Sequence, residues 1–115
     1  MSAELVEART DKVFKALAAA ERRLLLDRLR ARNGQTLGEL CAHLDTMTRQ
    51  AVTKHLKVLE EAALVVTLWR GREKLHYLNP APIHQIAERW IGKYERGRVR
   101  VLAQLKRQLE GEENG

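Results

Sequence analysis

The sequence predicts a mainly helical fold carrying one β-hairpin, and three observations support that expectation. Apolar residues recur at three- and four-residue steps in five segments separated by turn-forming residues. One stretch, Val65 to Leu78, is instead rich in β-branched and aromatic residues and is broken at its centre by Arg70-Gly71-Arg72. The chain has 115 residues, 44% of them apolar, which suits a single modest core.

The first helix is expected from about Asp11 to Ala18, with Val13, Phe14 and Leu17 as its apolar stripe and Leu5 extending it backwards. The second, about Ala20 to Arg32, turns Leu24, Leu25 and Leu29 inward and Arg22, Arg23, Arg28, Arg30 and Arg32 outward, and stops at Asn33-Gly34. Thr36-Leu37-Gly38-Glu39 has capping-box spacing, so a short third helix follows from Leu37 to Leu44. After the tight connection Asp45-Thr46-Met47, Thr48 is placed to cap a fourth helix, with Met47 stapled onto Val52 and with Val52, Leu56 and Leu59 buried. Two short helices joined so tightly, the second of them basic, form a helix-turn-helix pattern. In the hairpin, Trp69 and Tyr77 are read as cross-strand packing partners.

Pro80 and Pro82 end the hairpin and suit a helix entry, where an amide hydrogen is not used. One last helix then runs from about Ile83 to Leu109, roughly 40 Å at 1.5 Å per residue. Ile83, Ile86, Trp90, Ile91, Tyr94, Val101, Leu102, Leu105 and Leu109 form its apolar face. A chain this small cannot cover so long a face, so a second subunit is expected to share it. Residues 1–115 thus read as one winged helix-turn-helix domain: N-terminal helices over 5–34, the helix-turn-helix over 36–62, the wing over 64–79 and a dimerisation helix over 82–109.

No apolar run approaches the length of a membrane span, and Met1-Ser2-Ala3-Glu4 lacks the order of a signal peptide, so the expected location is cytoplasmic. Cys41 is the only cysteine, which rules out an intrachain disulfide. The formal net charge of +6 and sequence pI of about 9.9 favour a polyanionic partner.

The chemistry concentrates on the fourth helix, which opens Thr48-Arg49-Gln50-Ala51-Val52-Thr53-Lys54-His55-Leu56-Lys57. Its non-core positions are nearly all hydrogen-bond donors or cations, where an ordinary solvated face would mix in carboxylates. Arginine and glutamine match the major-groove edges of guanine and adenine, and threonine or lysine can hold phosphate. Thr48, Arg49, Gln50, Thr53, Lys54, His55 and Lys57 are therefore the candidate DNA contacts. At the hairpin tip Arg70, Arg72 and Lys74 surround Gly71 against one carboxylate, Glu73, a grouping suited to phosphates or a minor groove.

Over nearly its whole length the chain resembles the ArsR family of bacterial winged-helix repressors. The resemblance rests on Val13-Phe14-Lys15-Ala16-Leu17-Ala18, Arg22-Arg23-Leu24-Leu25-Leu26, Thr36-Leu37-Gly38-Glu39-Leu40-Cys41, the run from Arg49 to Leu59, and the wing from Gly71 to Leu78. It departs at Ala19-Ala20-Glu21, where the family commonly has an aspartate-proline-threonine junction. The resemblance implies a homodimer joined through its terminal helices, with Leu5, Phe14, Ile86, Trp90, Tyr94, Val101 and Leu105 at the contact. It also implies two recognition helices on a roughly palindromic double-stranded DNA operator, and repression by blocking transcription.

Many members of that family sense metals. Where some have a cysteine-x-cysteine pair, this chain has Cys41-Ala42-His43, and His84, Glu88 and Glu95 do not reproduce the spacing of the terminal-helix site. No metal or other cofactor is expected, and the effector, whether a small molecule or a protein, is not written in these residues. A metal- or redox-responsive repressor using Cys41 is the alternative within the family. A winged-helix interaction module without DNA binding would carry acidic or apolar residues on the fourth helix and wing, opposite to what stands here. An enzyme is not expected, because no phosphate loop, His-Glu-x-x-His pair or nucleophile elbow is present. RNA binding lacks a platform of stacking aromatics. Between Glu88 and Arg107, seven cations face two acids, read as a solubilising outer face of the last helix.

Overall fold

The computed structural model describes residues 2–113, excepting the side chains of residues 92, 94–99 and 112–113. Ser2 accepts the Leu5 amide on its hydroxyl at 3.2 Å, so helix α1 begins at Ala3, well before Asp11, and runs to Leu17. Thr10, Val13 and Ala16 point inward at three-residue steps, and Thr10 satisfies its buried hydroxyl on the Val6 carbonyl at 2.9 Å. Phe14, expected in the buried stripe, lies one residue round from Val13 and is 54% exposed. Helix α2, Ala20–Ala31, has no side-chain cap at Ala19. The α1–α2 corner is held from the other side: Arg22 donates to the Ala16 and Lys15 carbonyls, both at 2.8 Å, and Arg23 to Leu17 at 2.6 Å. These bonds satisfy carbonyls that the end of α1 leaves open. Leu25, Leu26 and Leu29 are buried, whereas Leu24, expected inward, sits on the flank of that stripe and is exposed.

Gly34, at φ 78°, ends the α2 region and brings the chain back against the hairpin. Buried Gln35 donates its amide to the Arg28 and Arg32 carbonyls, capping α2, while its backbone pairs with His76. Helix α3, Leu37–Ala42, starts with the expected capping box: Thr36 Oγ1 accepts the Glu39 amide and Glu39 accepts the Thr36 amide. It stops at Ala42 and not at Leu44, because the chain tightens through three-residue bonds from His43 to Leu40 and from Leu44 to Cys41. Leu44 is nevertheless buried.

Helix α4, Arg49–Glu61, is capped by Thr48 and buries Val52, Leu56 and Leu59 as the spacing requires. It ends in a Schellman motif, with Leu64 donating to Leu59 and Ala63 to Glu60, both at 3.0 Å. Strands β1, Val65–Arg70, and β2, Glu73–Leu78, form the antiparallel wing around the two-residue turn Gly71-Arg72, with Gly71 at φ 62°. The register pairs Trp69 with Lys74 and Val66 with Tyr77, so Trp69 and Tyr77 are not cross-strand partners. Tyr77 instead lies over Gly34, where a Cβ would come within 3.1 Å of its hydroxyl oxygen. The core sits beneath α4, where Leu25, Leu29, Leu40, Val52, Leu59 and Leu64 are all but inaccessible. Each such side chain contributes roughly 1.5–3 kcal/mol relative to exposure.

Two units make up the chain, Met1–Ile83 and His84–Gly115. Where one continuous helix was expected from Ile83, the backbone forms α5, Ala81–Ile86, a π-helical turn, Ala87–Ile91, and α6, Gly92–Glu113. Ile91, Val101, Leu102, Leu105 and Leu109 are exposed, whereas Ile86 and Trp90 are half-buried. The expected contact Tyr94, together with Glu95, Arg96 and Arg98, falls outside the described side chains. Among the described residues, no helix is long and apolar enough to cross a membrane.

Candidate nucleic-acid interface

An α-helix advances 100° per residue, so residues 49, 53 and 57 and residues 50 and 54 share one broad face of α4. Arg49, Gln50, Thr53, Lys54 and Lys57 are all exposed there, opposite the buried Val52 and Leu59. No carboxylate lies in the first turn, so the positive pole of the helix adds to Arg49 instead of being cancelled. The acids of this helix, Glu60 and Glu61, lie in its last turn.

Two of the candidates have local roles. Thr48 holds the Ala51 amide at 3.1 Å and so sets the start of the helix. Thr53 donates its hydroxyl proton to the Arg49 carbonyl at 2.9 Å, leaving a methyl group and oxygen lone pairs toward solvent. A donated bond to phosphate would require that hydroxyl to turn.

The structure places His55 elsewhere. It is half-buried on the side of α4 that faces the α1–α2 corner, and its Nδ1 lies 3.4 Å from the Arg22 guanidinium. Arg22 thereby links the α1 carbonyls to the recognition helix, a role not visible from its place on a basic helix face.

The wing stands beside α4, and between them and the start of α3 lies a groove of about 430 Å³. Arg49, Thr53, Glu60, Arg72, Lys74 and His76 are on its walls. Lys74 reaches Glu60 at 3.3 Å, joining wing to helix, and Arg70 pairs with Glu73 at 3.0 Å. Among the described residues, Arg72 has no ion pair. Exposed pairs are worth only about 0–1 kcal/mol, so an incoming phosphate can take either cation from its carboxylate. Buried His76 anchors β2: its amide and its Nδ1 both lie within 2.9 Å of the Gln35 carbonyl. Behind the groove, Glu39 is held below the ordinary carboxylate range, chiefly by the Thr36 amide and then by the Arg32 guanidinium 2.6 Å away.

Sequence reasoning missed the exposure of Trp69, which is 68% accessible on the outer part of the wing. Counting back across the two-residue turn at Gly71 pairs it with Lys74, a signal the sequence does contain.

Of the sites weighed for metals, Cys41 is half-buried on α3 and His43 lies just past the helix end. His84 pairs with Glu88 at 3.1 Å on the surface.

Residues 17–67 match a family described as a helix-turn-helix domain. The chain is 43% identical over 86 residues to the uncharacterised HTH-type transcriptional regulator YuzN of Bacillus subtilis (strain 168), covering 70% of this chain and 94% of that protein. It is 39% identical over 70 residues to the HTH-type transcriptional regulator Rv2034 of Mycobacterium tuberculosis, covering 61% of this chain and 64% of that one. Among solved structures, an ArsR-like transcriptional regulator from Rhodococcus sp. RHA1 superposes with a TM-score of 0.75 at 30% identity, covering 96% of this chain and 98% of the other.

Proposed function

The chain belongs to the ArsR-like winged helix-turn-helix transcriptional regulators, and from that footing we propose that it is a homodimeric, metal-independent repressor of a roughly palindromic operator. Its binding to double-stranded DNA rests above all on one observation: Arg49, Gln50, Thr53, Lys54 and Lys57 stand exposed on one face of α4, with no acid in its first turn. In this reading Arg49 and Gln50 read base edges, Lys54 and Lys57 hold phosphates, and Arg72 at the wing tip holds the flanking backbone. Thr48 positions the helix start, and His55 positions the helix against Arg22 without touching DNA.

The dimer is supported by the exposed apolar residues Val101, Leu102, Leu105 and Leu109 of α6 and by Leu5 and Phe14 of α1. Metal independence is supported by the ligand inventory. Cys41 and His43 are only two potential ligands, where a closed zinc site usually has four. A small molecule or a protein is proposed as the effector that relieves repression.

Titration of a labelled random-sequence duplex at several salt concentrations tests the DNA-binding part. The expected outcome is binding whose logarithm falls linearly with the logarithm of salt concentration. Absence of any salt-dependent binding contradicts the proposal.

A further inference from the structure

We propose that Trp69 is a further DNA-contact residue, its indole seated against deoxyribose at the edge of the minor groove beside the wing. This rests on the reading of α4 and the wing as the DNA-binding surface. Among the described residues Trp69 is the most exposed of the large apolar side chains. A tryptophan brings about 150–250 Å² to a contact, and here most of it stands in water with no aromatic partner across the strands.

Its surroundings select the occupant. Lys74 is directly opposite on the same face and Arg72 is at the tip, while Arg70 and its partner Glu73 lie on the other face. Cross-strand neighbours share a face of the hairpin, and Lys74 reaches Glu60 of α4. Trp69 therefore lies on the face turned toward the recognition helix, whereas Val66 and Leu68 lie on the other. A DNA backbone alternates anionic phosphates with apolar sugars, matching a ring flanked by cations. The sugar C–H groups meet the electron-rich ring face, and the indole N–H is a donor for phosphate.

The chain has two tryptophans, so the difference in emission between the unaltered protein and Trp69→Phe isolates Trp69. Titrated with a duplex bearing the site enriched by selection, the Trp69 part of the emission is expected to lose acrylamide quenching with the same midpoint as binding. Trp69→Ala, measured with the labelled duplex, is expected to raise Kd about tenfold with an unchanged salt slope, because a sugar contact releases no counterion. Trp69→Phe is expected to restore most of the affinity. Helical circular dichroism and Tm of each variant must match the parent, and if Trp69→Phe fails to fold, the Trp69→Ala titration decides alone. An unchanged Kd in Trp69→Ala overturns the proposal, as does unchanged quencher access. A change in the oligomeric state of DNA-free Trp69→Ala also overturns it, since the indole would then be covered by a second copy. If the unaltered protein binds no duplex, the underlying reading fails as well, which separates that outcome from failure of the Trp69 contact alone.

Discussion

Ala63 is held at φ 59°, in the left-handed region where a Cβ is strained, so that Leu64 and Ala63 can close the carbonyls at the end of α4. Ala63→Gly is expected to raise stability by about 1 kcal/mol, the relieved strain exceeding the added chain entropy, and a higher urea midpoint at constant m-value checks this. Gly34 is the converse case, with φ 78° and the Tyr77 ring where a Cβ would go. Gly34→Ala is expected to cost more than about 1 kcal/mol by the same measurement. Glu39 contributes to the acid side of the stability curve. Its folded-state pKa is lowered, so its contribution is present above the ordinary carboxylate range and is lost as pH falls through the folded value. Glu39→Gln is therefore expected to flatten the loss of stability on acidification, as read from urea midpoints across the acid range.

At the scale of elements, the proposed function divides the reading and holding of DNA between α4 and the wing. Arg49→Ala is expected to relax preference at particular bases, whereas Arg72→Ala weakens all sequences more evenly and lowers the salt slope by about one. Binding to matched and mismatched duplexes at several salt concentrations distinguishes the two. His55→Ala is expected to lower Tm through its contact with Arg22 while leaving base preference unchanged. Much of this arrangement was legible in the sequence because it is local. The Thr36 capping box, the Thr48 cap and the stripe Val52, Leu56, Leu59 follow from spacing alone. What was not legible depends on distant partners or on unusual backbone. Leu5 points to a backward extension of the first helix, but the spacing in residues 3–10 does not mark its start, which Ser2 sets. The cap at Ala63 lacks its usual glycine. Arg22 and His55 are 33 residues apart in sequence and meet only through packing. The π-helical turn at Ala87–Ile91 is hidden because Ile83, Ile86 and Trp90 keep three- and four-residue spacing into it.

For the whole molecule, the proposed assembly follows from apolar surface that one chain leaves in water. Val101, Leu102, Leu105 and Leu109 repeat along α6, each about half or more exposed. Leu105→Glu is expected to shift sedimentation toward the monomer and to weaken operator binding, because one recognition helix then engages one half-site alone. The charge of +6 accelerates encounter with DNA but does not select sequence. On the proposed reading, selection comes from α4, repeated by the two-fold axis of the proposed dimer. Selection of bound sites from a random duplex library measures both properties at once. The account predicts an enriched site with two-fold symmetry, its half-sites one helical turn or a multiple apart. Recovery of no enriched symmetric site would contradict it.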